Sequence, residues 1–545
     1  MSDESFTLAK HPTFDGVEGP VLLIVMDGVG LGAEDEGDAV FLARTPNLDR
    51  LRQSSLSTDL IAHGTAVGLP SDDDMGNSEV GHNAIGAGRV IDQGAKRVNH
   101  AVESGELFEG DTWKELVERA TSGGTFHLMG LLSDGNVHSH QDHCFAMIRR
   151  LRQDGVERIR VHVLLDGRDV PQRSAQEYVD ALEGVLAEVG GDCKIASGGG
   201  RMTTTMDRYE ADWAMVQQGY DAHVHGNAEH VFGTTTEAVE HFHNVLDVSD
   251  QFMPAFVITD DEGPVGRIQD GDSLVFFNFR GDRAIEISRT FDDDALSELE
   301  RGDRPDVLYA GMMQYDGDLH VPKRYLVEPP KIDRTLGEYL ARAGVRQFAC
   351  SETQKFGHVT YFWNGNRSGK FDEALEEYVE IPSDNVRFEQ RPWMKAAQIT
   401  DRTIEALRGG AKALRINYAN GDMVGHTGEL DASIVAVEVV DLQLARLLPV
   451  IEEMRGALIV TADHGNADQM FERDKKSGAF KRSEDGVLAK RTSHSLNPVP
   501  CVVWAPGYPL HLADTTAASL TRLAATTLQL LGYDAPAHFD PSLLR

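Results

Sequence analysis

Short apolar runs recur along the chain, each about one strand long. The longer segments between them carry apolar residues at three- and four-residue spacing. A strand-length run without alternation fits a strand buried on both faces, and helices between such strands cover those faces. The runs are VLLIVM (Val21–Met26), FHLMGLL (Phe126–Leu132), VHVLL (Val161–Leu165), LVFFNF (Leu274–Phe279), LRINYA (Leu414–Ala419), ALIVTA (Ala457–Ala462) and CVVW (Cys501–Trp504). Glu429–Met454 reads as a helix, and TPNLDRL reads as a helix start with Thr45 as cap and Pro46 in the first turn. The pattern predicts an α/β fold with mainly parallel sheets. At 545 residues the chain is too long for one ordinary domain.

In such folds chemistry collects where strands end. VLLIVM runs into Asp27 and ALIVTA into Asp463-His464. VHVLL runs into Asp166-Gly167-Arg168-Asp169, and LVFFNF into Arg280-Gly281-Asp282-Arg283. Two of these ends are acidic or imidazole-bearing and two are rich in arginine. The pattern suggests one anionic metal site and one cationic substrate site.

Net charge narrows the partners. Lys plus Arg is 52 and Asp plus Glu is 87, a balance of −35. Such a chain repels nucleic acid and anionic membranes, and must build a local basic pocket to hold an anionic substrate. Acidic runs such as Ser71–Asp74 and Phe291–Asp294 read as solvated surface. Four scattered cysteines give neither a zinc pattern nor a disulfide framework. The polar start MSDESFTLAKHP does not resemble a signal or transit peptide, and no apolar stretch is long enough to span a membrane. A cytoplasmic location is expected.

The metal candidates are Asp27, Asp422 and His426 in NYANGDMVGH, Asp463 and His464 in TADHGNAD, and His494 in TSHSLNPVP. Mixed Asp and His donors suit manganese, zinc or cobalt better than calcium. Six donors are too many for one ion and about right for two. Two ions ~3.5–4 Å apart can hold the attacking and leaving oxygens of a phosphoryl transfer. Ser78, in DMGNSEVGH, would read as a helix-capping serine if it stood alone. Beside two metals it completes the set as a nucleophile, because a coordinated hydroxyl loses its proton more easily.

Long strings then carry a resemblance: VMDGVG, MGNSEVGHNAIGAGR, LMGLLSDGNVHSH, LLDGRDVP, GRMTTTMDRYEADW, FFNFRGDRA, ETQKFGHVTYFWNG, NYANGDMVGH, TADHGNA and NPVP. Over nearly its whole length the chain resembles the cofactor-independent phosphoglycerate mutases of the alkaline phosphatase superfamily. NAIGAGRVIDQGAK and GGGRMTTTMDRYE are more similar to the longer plant and trypanosomatid branch. The resemblance implies an alkaline-phosphatase-like metal domain, 1–92 and 325–545, with an α/β transferase domain inserted at 93–324. It assigns Asp422, His426 and His494 to one metal, and Asp27, Ser78, Asp463 and His464 to the other. Lys355 would neutralise the phosphoryl group. His138, Arg168, Asp169, Arg201, Arg208, Arg280 and Arg283 would hold the substrate, with Asp169 as acid and base. The Phe471–Lys490 stretch is longer than in many members and reads as a surface excursion. The implied enzyme is an isomerase and a monomer. It carries two divalent ions, manganese first and cobalt second, and interconverts 3-phosphoglycerate and 2-phosphoglycerate through a phosphoserine. The rival readings are a phosphomonoesterase or another phosphosugar mutase on the same metal site, and a scaffolding protein with a degenerate site. The product formed from 3-phosphoglycerate separates them.

Overall fold

The computed structural model describes residues 6–92, 94–207, 212–302, 304–316, 320–328, 332–474, 477–482 and 486–545. The chain forms two units, one from Met1–Gln93 with Lys331–Arg545 and one from Gly94–Pro330. The second boundary falls later than the sequence reading placed it. Tyr325–Val327 is a strand paired with Leu308–Met313, so it belongs to the second unit's sheet rather than to the first unit.

Among the described residues the first unit's sheet has seven strands. Their order is Glu376–Ile381, Gln347–Glu352, Ala413–Tyr418, Val21–Met26, Ala457–Thr461, Val499–Trp504 and Leu56–Leu60. The first five are parallel, and the last two are antiparallel additions at one edge. Val21–Met26 lies mid-sheet with every residue buried, which is why its sequence is a continuous apolar run. The helix Leu430–Glu453 packs its apolar stripe here and buries Val437, Val440, Leu444, Leu447 and Ile451. Pro46 stands at the start of the helix Pro46–Ser54 as the sequence predicts, but Thr45 makes no capping bond. Its hydroxyl turns to Asp49. Asp441, on the long helix, accepts from the N–H groups of Asn47 and Leu48 instead, at 3.0 and 2.8 Å.

The second unit's sheet runs Tyr325–Val327, Leu308–Met313, Ser273–Phe276, Phe126–Leu132, Arg158–Leu165, Asp192–Gly200, Phe256–Asp260 and His230–Phe232, with Gly263–Pro264 paired to Phe256–Asp260. It is parallel except where Phe256–Asp260 meets Asp192–Gly200 and Gly263–Pro264. The strand expected to reach Phe279 ends at Phe276. Asn278 Oδ1 accepts the Leu131 N–H at 2.9 Å, so a side chain takes over where the backbone ladder stops.

A candidate phosphoryl-transfer centre

In the first unit, Asp27 follows the central strand and Asp463-His464 follow its neighbour Ala457–Thr461. Asp422 and His426 lie at either end of a short helical turn after Ala413–Tyr418, and Lys355 sits on the turn after Gln347–Glu352. Parallel neighbours end at one edge of the sheet, so four strands deliver these groups together. Glycines permit the close approach. A side chain at Gly28, whose φ is +75°, would meet the Asp422 backbone at 2.6 Å. One at Gly81 would lie 2.7 Å from the Asp463 Cβ.

Ser78 opens the helix Ser78–Ala87, capped by Asn77, whose side chain accepts from Val80 N–H. Its hydroxyl is 3.0 Å from His464 Nε2, 3.3 Å from Asp27 Oδ1 and 2.5 Å from Lys355 Nζ. His426 Nε2 and His494 Nε2 lie 3.0 and 3.2 Å from Asp422 Oδ1. The donor atoms of Asp422, His426 and His494 all fall within 4.8 Å of one another, as do those of Asp27, Asp422 and His464. Asp422 therefore touches both groups, although the sequence reading gave it to one. Asp463 joins through His464, with Oδ2 3.6 Å from Nε2.

These residues fit the binding of divalent cations. Asp27, Asp422 and Asp463 are almost completely buried, and the Lys355 ammonium lies 2.9 Å from Asp27 and 2.7 Å from Asp422. One lysine cannot balance three carboxylates. Burial raises the proton affinity of Asp27, and neighbouring Asp463 raises it further against the pull of Lys355. Asp463 is raised by burial too, and its Oδ2 has no hydrogen-bond partner. Burial alone would raise Asp422, but His426 and Lys355 outweigh it and hold that carboxyl well below the usual range. His464 is kept neutral by burial, the form that binds metal. Buried acceptors without donors are costly unless something positive meets them.

Two supporting residues escape the sequence reading. Asn417 donates to Asp27 Oδ2 at 2.7 Å, and His82 Nδ1 meets the Ser78 carbonyl at 2.7 Å. Asn417 sits in the LRINYA run, where it passes for part of a strand.

In the second unit Arg168, Arg201, Arg280 and Arg283 are buried. Arg201 is 1% exposed and pairs with Asp166 Oδ1 at 2.8 Å and with Asp169. Burial works against its charge, and Asp169 and Asp166 more than restore it. Asp166 Oδ1 also accepts the N–H groups of Arg168 and Asp169, so it organises the whole DGRD turn. Arg280 Nε is 3.0 Å and His138 Nδ1 3.5 Å from Asp282 Oδ1. Arg283 donates to the Met206 carbonyl at 2.6 Å. Arg208 lies outside the described residues. The sequence reading picked out the arginines and passed over Asp166 and Asp282, although both stand in the same strand-end motifs. A buried arginine needs a carboxylate beside it, and that rule could have found them.

Fold and site together place the chain in the Metalloenzyme superfamily, whose profile matches residues 19–535. A probable 2,3-bisphosphoglycerate-independent phosphoglycerate mutase of Leptospira interrogans is 51% identical, and the match spans 99% of each chain. The 2,3-bisphosphoglycerate-independent phosphoglycerate mutase of Trypanosoma brucei brucei is 49% identical, again over 99% of each. The crystal structure of Leishmania mexicana phosphoglycerate mutase at low cobalt concentration superposes with a TM-score of 0.96 at 49% identity, covering 99% of this chain and 100% of that one. The chain belongs to the family of 2,3-bisphosphoglycerate-independent phosphoglycerate mutases, isomerases that interconvert 3-phosphoglycerate and 2-phosphoglycerate.

Proposed function

We propose that the chain performs this isomerisation through a phosphoserine at Ser78. The observation that carries the reading is the Ser78 hydroxyl itself, buried within hydrogen-bond reach of His464, Asp27 and Lys355. Asp422, His426 and His494 hold one divalent cation, and Asp27, Ser78, Asp463 and His464 the other. Manganese is the first candidate and cobalt the second, in keeping with the cobalt conditions of the Leishmania structure. Bound there, the cations lower the pKa of a coordinated hydroxyl and neutralise phosphoryl oxygens.

The residues divide the remaining work. Ser78 Oγ forms a bond to phosphorus as the bond to the glycerate oxygen breaks. Lys355 supplies positive charge to the phosphoryl oxygens. Asp169 gives a proton to the departing glycerate oxygen and takes one from the hydroxyl that later recovers the phosphoryl group, and His138 orients that hydroxyl. Arg168, Arg201, Arg208, Arg280 and Arg283 hold carboxylate and phosphate in the two-bond manner that suits guanidinium. They would supply local positive charge in a chain of net charge −35. We place the enzyme in the cytoplasm as a monomer that binds neither nucleic acid nor membrane. Among the described residues no helix is long and apolar enough to cross a membrane.

The test is to quench metal-loaded enzyme with 3-phosphoglycerate and map phosphate by peptide mass. Phosphate on the Ser78 peptide supports the reading. Turnover with no phosphopeptide at any quench time overturns it.

A further inference from the structure

The second unit buries a line of polar side chains that has no place in the steps given above. His127 Nε2 meets Asp272 Oδ2 at 3.1 Å, and His127 Nδ1 meets His162 Nε2 at 2.9 Å. His162 Nδ1 meets Ser197 Oγ at 2.7 Å, and Ser197 Oγ meets His223 Nδ1 at 2.7 Å. His223 Nε2 meets Thr205 Oγ1 at 2.9 Å. The line crosses three neighbouring parallel strands, Phe126–Leu132, Arg158–Leu165 and Asp192–Gly200. The three histidines, Ser197 and Thr205 are all at most 1% exposed.

Its direction follows from one end. An ionised carboxylate only accepts, so His127 carries its proton on Nε2 and accepts at Nδ1. Each following group is then fixed in turn. His162 is protonated on Nε2, Ser197 donates to His162, His223 is protonated on Nδ1, and Thr205 donates to His223. All three rings are neutral, because burial holds their pKa values down, that of His223 to about 3.

The far end is where the line becomes functional. Thr205 has φ +67°, a left-handed conformation in which a β-branched residue is an outlier. A side chain on Gly219 would collide with the Thr205 hydroxyl, and one on Gly199 with that of Thr204, so both glycines keep room for this pair. The next residue is Met206, whose carbonyl receives Arg283 Nη1 at 2.6 Å. We propose that the Asp272–His127–His162–Ser197–His223 chain holds Thr205 in its left-handed turn and thereby sets Arg283, which makes His223 and Thr205 positioning residues for substrate. The inference rests on the reading of Arg283 as a substrate ligand.

The test uses the metal-loaded full-length enzyme. Thr205→Val removes the hydroxyl and keeps the shape, and Thr205→Ser keeps the hydroxyl. Thr205→Val should raise KM for 3-phosphoglycerate by ~10-fold or more, as a displaced positioning group does, and Thr205→Ser should stay within about twofold of wild type. Nitrogen-15 spectra of the wild type, which need no variant to fold, should show His223 protonated on Nδ1 and His127 and His162 on Nε2. Arg283→Ala is the control. If it raises KM while Thr205→Val does not, or if His223 carries its proton on Nε2, the positioning chain is wrong and the Arg283 reading stands. If Arg283→Ala leaves KM unchanged, the Arg283 reading falls and takes the inference with it.

Discussion

At the scale of the residue, Ser78 and Asp166 show how much depends on neighbours. Ser78 is a hydroxyl at a helix start, and the proposed mechanism makes it a nucleophile through the groups that four strands bring beside it. Ser78→Ala should lower isomerisation at least ~10³-fold, as expected when a covalent nucleophile is removed. Steady-state rates at saturating 3-phosphoglycerate check this, and substantial residual activity would remove Ser78 from the mechanism. Asp166 touches no proposed reacting atom, yet it accepts from Arg201 and from two backbone N–H groups of the DGRD turn. In Asp166→Asn, Arg201 keeps Asp169 and loses a charged partner. Hydrogen bonds to charged groups contribute about 1.5–3 kcal/mol, so kcat/KM should fall roughly 10- to 100-fold. A wild-type value would mean that Asp169 orients Arg201 alone.

At the scale of the element, the strands buried on both faces were the legible part of the fold. Val21–Met26 and Phe126–Leu132 begin and end where their apolar runs do. Edge strands were harder, because one side meets water and the apolar run disappears. Glu376–Ile381, EEYVEI, is half exposed, and Leu56–Leu60, LSTDL, is mostly polar. Among candidate site residues, those that follow an apolar run could be read, and those inside one could not. Asn417 and the strand histidines look like minor breaks in hydrophobic sequence until the fold places partners beside them. The buried histidines also predict how stability responds to acid. His223 titrates near 3 when folded and near ~6.5 when unfolded, so between those values the unfolded chain binds the extra proton. Stability is therefore lost as pH falls below the unfolded value. From pH 7 to pH 5 this residue alone should remove about 2 kcal/mol. Denaturant unfolding of wild type and His223→Asn at both pH values measures it. The wild type should lose more than the variant, and equal losses would show that His223 is protonated in the fold.

At the scale of the whole molecule, the proposed mechanism gives phosphoryl transfer to the first unit and the grip on glycerate to the second. A chelator should abolish activity, and Mn²⁺ or Co²⁺ should restore it. Bound metal should also stabilise the folded chain by mass action, so the unfolding temperature should rise with metal concentration. Activity that survives long dialysis against chelator would overturn the metal assignment. In Asp169→Asn and Arg283→Ala, each in the second unit and neither a proposed metal ligand, isomer formation should fall more than phosphate release. A held hydroxyl has an effective concentration of ~10⁵ M or more, whereas water is unoriented. The ratio of inorganic phosphate to isomer, read in one reaction, should rise in both. A wild-type ratio would mean that the second unit does something other than hold glycerate.

The central strand of the first sheet has a further consequence, for synthesis. Met26 pairs with Tyr418, so about 390 residues must be made before its partner exists. At ~5–20 residues per second the ribosome needs roughly 20–80 s for that stretch. The strand Val21–Met26, apolar throughout, spends that time without the neighbours that cover it. The second unit is continuous in sequence and is complete once residue 330 has emerged. The unit begun first is therefore the one whose sequence is completed last, and its apolar central strand waits for its sheet neighbours until the later strands have been made.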